Sequence, residues 1–166
     1  LSPVMNRLLH ALKENALSGD SGIPEISFAG GKEIPVFEPM GGVLQLMPLS
    51  CTFPPINRTN CLVVGDEDSG KIIMDPSPVS MEEFKKLTGT LESKKLDIRG
   101  IFITHHHRDH HQGAPMLAKK YSIPMLMSRF TRDQIEKILG KSHFNGVEIK
   151  IVKEGDLLTK WLGKPV

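Results

Sequence analysis

The sequence predicts an α+β domain, and three observations predict it. From about residue 43 onward, short apolar and β-branched runs alternate with stretches whose apolar residues recur at helical spacing. Two of those runs flank the turn Gly65-Asp66-Glu67-Asp68-Ser69-Gly70, as in a hairpin. Helix-start signals stand before the helical stretches, of which Ser80-x-x-Glu83 and Thr131-x-x-Gln134 are capping boxes. At 166 residues the chain is long enough for one domain with a substantial core. We divide it into residues 1–42, an N-terminal helix and linker packing on the domain, and residues 43–166, the domain itself.

Each element has a local cause. Ser2 and Pro3 suit the N-cap and first position of a helix, and Val4, Leu8, Ala11 and Leu12 give it an apolar stripe that ends at Gly19. Residues 18–42 are rich in Gly, Pro and Ser and predict an irregular linker, with a short strand near Ile34–Phe37. Val43–Met47 predicts a strand and Cys51–Asn57 a Pro-containing loop. Cys61–Val64 and Lys71–Met74 form the hairpin. Ser80 opens a helix with Met81, Phe84, Leu87 and Leu91 on one face. The strand Ile101–Thr104 follows, then a polar histidine run and a helix carrying Ala114, Leu117, Ala118 and Tyr121. Met125–Met127 is a strand. The helix opened at Thr131 carries Ile135, Ile138 and Leu139 and closes at Gly140. Val147–Val152 is the last strand, before a turn at Glu154-Gly155-Asp156.

Composition narrows the function classes. With 24% charged residues and a net charge of +2, the chain reads as an ordinary globular protein. Its basic residues are scattered, so a nucleic-acid partner is not favoured, and a small-molecule substrate is expected. Seven Phe, one Tyr and one Trp offer little for stacking on bases. No run of 18 apolar residues is present to span a membrane, and no secretion signal is visible. Cys51 and Cys61, without CxxC spacing, read as buried free thiols. A cytoplasmic protein is expected.

The chemistry is concentrated in one segment. Five of the seven histidines lie between positions 105 and 111, in Thr104-His105-His106-His107-Arg108-Asp109-His110-His111-Gln112-Gly113. Neutral imidazoles beside a carboxylate are the donors that zinc, iron or manganese prefers. His105 and His107, two apart in extended chain, project from one face. Asp109 and His110 follow where the chain turns into a helix and aim at a neighbouring point. The pattern reads as two metal positions side by side, able to share one bridging hydroxide. His106 and His111 point away from that set and suit surface or supporting roles.

This motif resembles the metal-binding signature of the metallo-β-lactamase superfamily, which includes thioesterases, lactonases, β-lactamases and ribonucleases. Asn57–Gly65, Lys71–Asp75 and Arg99–Thr104 are similar to the strands that precede the signature in that family. The resemblance spans about residues 43 to 158 and is closest to the glyoxalase II-like and "β-lactamase-like protein 2" branches. It implies an αββα sandwich, of which this chain would be the N-terminal half to two-thirds. It also implies a zinc-dependent hydrolase with two ions in the intact site, iron or manganese being alternatives. His105 and His107 would hold one ion, and Asp109 and His110 the other. Asp109 would also orient the attacking nucleophile or take its proton. Asp75 would stand behind the ligands and receive a histidine N–H, with a turn or cap before Pro76 as the lesser alternative. Ester or thioester hydrolysis is expected first, with an RNA-cleaving nuclease or an inactive metal-binding half-domain as alternatives.

The ligand set of the family is incomplete here. Downstream of the cluster the sequence holds only His143, outside the glycine-flanked context of the family's third histidine. By the register of Glu154–Leu158, that ligand falls just past Val166. Either a further C-terminal half completes the site, or His143 completes an atypical one; an isolated half would expose a sheet edge and apolar faces, to be covered by that missing half or by a second copy.

Overall fold

The computed structural model describes residues 34–40, 43–50, 58–66 and 69–162. The expected helix at residues 2–19 and the loop at Cys51–Asn57 lie outside them. The described residues belong to one compact unit, residues 32–165.

Seven strands form a single sheet in chain order: β1 (Phe37–Met40), β2 (Leu44–Ser50), β3 (Arg58–Val64), β4 (Lys71–Met74), β5 (Ile98–Ile103), β6 (Met125–Met127) and β7 (Ile149–Ile151). The first four pair antiparallel, with Val63 opposite Ile73 across the expected hairpin. From β4 onward the pairing is parallel, Ile73 beside Ile101 and Ile101 beside Met125. Parallel neighbours require long crossovers. These carry α1 (Met81–Ser93), α2 (Arg108–His111) with α3 (Ala114–Tyr121), and α4 (Arg129–Leu139). A 3-10 turn at Lys141–Phe144 and α5 (Thr159–Leu162) complete the fold. The α+β architecture is as the sequence predicts.

The core lies between one sheet face and the crossover helices. Met47, Cys61, Val63, Ile73, Ile101, Ile103, Met125 and Met127 meet Phe84, Leu87 and Leu91 of α1, Leu117 of α3 and Ile135 of α4. Ile101 is fully buried, and its truncation to Ala would cost about 2–5 kcal/mol. The other face is covered at β4–β5 by α5. There Gly100 leaves room for the Trp161 indole, whose Cδ1 would lie 3.2 Å from an added Cβ. Ile72, Leu126 and Leu162 are buried as well. Burial on both faces suits the near-continuous apolar runs Ile72–Met74, Ile101–Ile103 and Met125–Met127.

Several boundaries differ from the sequence expectation. Ile34 is not in a strand, because its N–H is bonded to the Thr90 hydroxyl of α1 at 2.9 Å. β2 runs on through Pro48, beyond the stretch where β1 pairs with it, so the missing N–H costs nothing. β3 begins at Arg58, and β5 starts at Ile98 but ends at Ile103, leaving Thr104 outside the ladder. β7 is confined to Ile149–Ile151.

The helices show similar shifts. The box at Ser80 forms: the Ser80 hydroxyl accepts from Glu83 N–H at 3.1 Å, while the Glu83 carboxylate accepts from Val79 N–H at 2.9 Å. Met81, expected on the buried face of α1, is instead exposed. α4 starts earlier than predicted. Its N-cap is Ser128, which accepts from Thr131 N–H at 3.0 Å, and Thr131 is itself buried. Ile138 faces outward while Ile135 enters the core.

Candidate metal centre

The histidine segment leaves the C-terminal end of β5, beside the end of β4. Strand ends of this kind are where open α/β sheets bind ligands. Asp75 follows β4 directly and has a left-handed backbone, φ 51°. Asp tolerates that conformation better than most residues. Its N–H donates to the Phe102 carbonyl at 2.9 Å. The buried Asp75 carboxylate lies against the segment.

Both carboxylate oxygens are used. Thr104 N–H donates to Asp75 Oδ1 at 2.8 Å and the Thr104 hydroxyl to Oδ2 at 2.6 Å. His110 Nδ1 lies 3.0 Å from the same Oδ2. A carboxylate accepts only, so His110 carries a proton on Nδ1, which leaves Nε2, 3.3 Å from Asp109 Oδ2, as the nitrogen that would face a metal. The Thr104 hydroxyl has spent its one proton on Asp75, so it accepts from His105 Nδ1 at 2.9 Å. His105 therefore also presents Nε2. One carboxylate and one hydroxyl thus set two imidazoles in the tautomer that binds metal.

The other expected donors gather around these two. His105 and His110 rings lie 4.1 Å apart between centroids, and His105 and His107 rings 4.6 Å apart. His107, the N-cap of α2, remains exposed. Asp109 Oδ2 is 3.3 Å from His110 Nε2 and accepts from the Thr59 hydroxyl at 2.9 Å. Thr59 is buried, projects inward from β3, and had no counterpart in the sequence reading. Among the described residues, one group of potential ligands clusters within 4.8 Å: Asp75, His105 and His110. Since Asp75 already accepts three hydrogen bonds, we regard it as the support of this group and His105 and His110 as its open donors.

Electrostatics favour the ligating forms. Burial, and after it the neighbouring His110, holds His105 below the ordinary imidazole range, so the ring is neutral at physiological pH. Burial pushes Asp109 up. The Thr59 hydrogen bond, His110 and a backbone N–H outweigh it, and the carboxylate stays below its ordinary range. Cys61 is buried and free, and burial with the nearby Asp75 charge drives its thiol well above the usual range. No thiolate joins the site from there. Imidazole and carboxylate are donors that zinc, iron or manganese accepts, so the residues fit such an ion.

The remaining histidines point elsewhere. His111 is 1% exposed, with Nε2 3.2 Å from the His106 carbonyl and Nδ1 3.3 Å from His143 Nε2. Burial, then His143, lowers its pKa to about 4. His143 lies in the 3-10 turn with its Nε2 on His111, not among the clustered donors. The His106 ring meets Phe130 edge-on, at 5.9 Å between centroids.

Comparison with known proteins identifies the family and the fold. The family model of the metallo-β-lactamase superfamily matches residues 55–137, half of the chain, and the protein belongs to that superfamily. It is 32% identical over 81 residues to a Bacillus anthracis protein named exodeoxyribonuclease YycJ, covering 49% of this chain and 30% of that one. Solved metallo-β-lactamases share the fold. One from Pontibacter korlensis superposes with a TM-score of 0.55 at 15% identity, covering 73% of this chain and 54% of its own. One from Hirschia baltica gives 0.54 at 18% identity, with 76% and 56% covered. The chain thus spans about half the length of these structural relatives. No helix among the described residues is long and apolar enough to cross a membrane.

Proposed function

We propose that this chain carries metal-binding residues of a hydrolase that cleaves phosphodiester bonds in DNA. The observation supporting metal-dependent hydrolysis is the pair of open Nε2 donors on His105 and His110, each fixed through Nδ1, beside the Asp109 carboxylate. His105, His107, Asp109 and His110 would hold zinc, two ions in the complete site, and iron or manganese suits the same donors. When bound, zinc acts as a Lewis acid that makes water acidic near neutral pH and steadies developing negative charge. Asp109 then orients the nucleophile or takes its proton, with Thr59 holding the carboxylate in place. Asp75 and Thr104 keep the histidine rings in register.

The bond cleaved is inferred from the relative named exodeoxyribonuclease, 32% identical to this chain over 81 residues. The ester or thioester chemistry first expected rests on the branch resemblance alone.

The test is direct. Zinc-loaded protein would be incubated with end-labelled single- and double-stranded DNA and, separately, with thioesters. Release of nucleotides that stops with chelator, returns with zinc and is absent in Asp109→Ala is the expected result. Thioester turnover without DNA cleavage would move the protein to the first-expected class. DNA cleavage indifferent to both chelator and Asp109→Ala would overturn the metal reading.

A further inference from the structure

His106, His111 and His143 are left over by the metal reading, yet they form a chain of their own. The His106 carbonyl can only accept, so His111 Nε2 donates to it at 3.2 Å. His111 Nδ1 is then a lone pair and accepts from His143 Nε2–H at 3.3 Å. A neutral imidazole has one donor and one acceptor, and His111 uses both. The far end is anchored as well. His143 meets the ring of Phe144 at 5.0 Å between centroids, and Phe144 is part of the core.

The anchored atom is well placed. The His106 carbonyl belongs to the peptide unit between His106 and His107, and His105 lies one residue before. Rotating that peptide would re-aim His107 directly and let the His105–His107 spacing drift. An apolar residue at position 111 would fill the volume but leave this carbonyl without its donor. A merely packed core residue would not require a second histidine 32 residues away aligned on its free nitrogen.

We propose that His111 and His143 are a positioning pair, which ties the backbone between His105 and His107 to the 3-10 turn and so sets how the ligand rings meet the metal. The inference rests on the metal-site reading above. His143 acts through His111 and the backbone, not on substrate.

The experiment has two parts on the same protein. Long-range proton–nitrogen NMR of the metal-free protein should show both His111 and His143 protonated on Nε2. Cobalt(II) binding is then followed by chelator competition and by the visible ligand-field bands. His143→Ala should weaken cobalt binding about tenfold and shift the bands, as loss of an outer support does. His143→Gln, whose amide places an N–H near the same point, should restore both. A His111 protonated on Nδ1, or a folded His143→Ala with unaltered affinity and spectrum, would overturn the proposal and leave the metal site standing. If the unsubstituted protein binds no cobalt, the metal-site reading itself fails and the positioning role falls with it. Should His143→Ala not fold, the tautomers and a His143→Gln that binds cobalt no better than a chelator-treated control decide against the pair.

Discussion

Thr59 and Asp109, fifty residues apart in sequence, are joined by a 2.9 Å hydrogen bond from hydroxyl to carboxylate. The bond links the antiparallel half of the sheet to α2, the short helix that follows β5 in the parallel half. It also settles which Asp109 oxygen is committed and in what direction the other faces. Thr59→Val keeps the shape and removes the donor. Zinc affinity, measured by competition with a chromophoric chelator, should fall about tenfold, the lower end for loss of an outer partner. Asp109→Ala removes the ligand itself and should cost more than that. An unaltered affinity in Thr59→Val would show that Asp109 needs no orienting.

Asp75 supports more of the site than any other side chain. Asp75→Asn keeps the volume but replaces one acceptor oxygen by an NH2 group, which cannot accept from both Thr104 and His110. We expect zinc affinity about 10- to 100-fold weaker. The left-handed backbone at this position is tolerated by Asn, so the fold should survive. Circular dichroism beside the zinc titration separates the two effects.

Gly113 is a purely steric matter. A Cβ there would lie 2.5 Å from the Pro78 carbonyl oxygen, a backbone atom that cannot swing aside. The same contact region holds Ser77, whose hydroxyl donates to the Arg108 carbonyl and accepts from Gly113 N–H, both at 3.3 Å. Gly113→Ala should therefore destabilise by about 1–3 kcal/mol, the cost of overpacking. Thermal unfolding would register this as a drop of about 2–4 °C per kcal/mol.

Cys61 gives a pH prediction. Its thiol is held well above the usual range in the folded protein, whereas in the unfolded chain it ionises near about 8.5. The folded state therefore releases this proton later than the unfolded state. Its contribution to stability is complete below about pH 8.5 and is lost as pH rises further. Peptide-level alkylation should find Cys61 unreactive at pH 9 until denaturant is added. Rapid labelling of the folded protein would contradict its burial.

What the sequence discloses and what it withholds divide by distance along the chain. The Ser80 capping box, the β3–β4 hairpin and the gathering of His105, His107 and His110 each depend on residues close together, and spacing is enough to read them. Thr59 on Asp109 and His143 on His111 are invisible to spacing, because only the sheet order brings them together. Met81 and Ile138 are exposed although the apolar stripe includes them, because each lies at the edge of its stripe, where no neighbouring element covers it. α5 was missed for its length: four residues carry too little periodicity, and Trp161 finds its place only because Gly100 lies opposite.

The sheet's strand order has a kinetic consequence. Among the described residues every strand lies beside its predecessor in the chain. The antiparallel strands β1 to β4 are separated by few residues and close at little entropic cost, whereas the parallel pairs wait for their helical crossovers. The metal ligands and their supports come instead from β3, the end of β4, the end of β5 and the 3-10 turn, and their mutual geometry exists only once those parts have been laid down. Tight metal capture should thus be a late event in refolding, and a report on the finished structure rather than a nucleus for it.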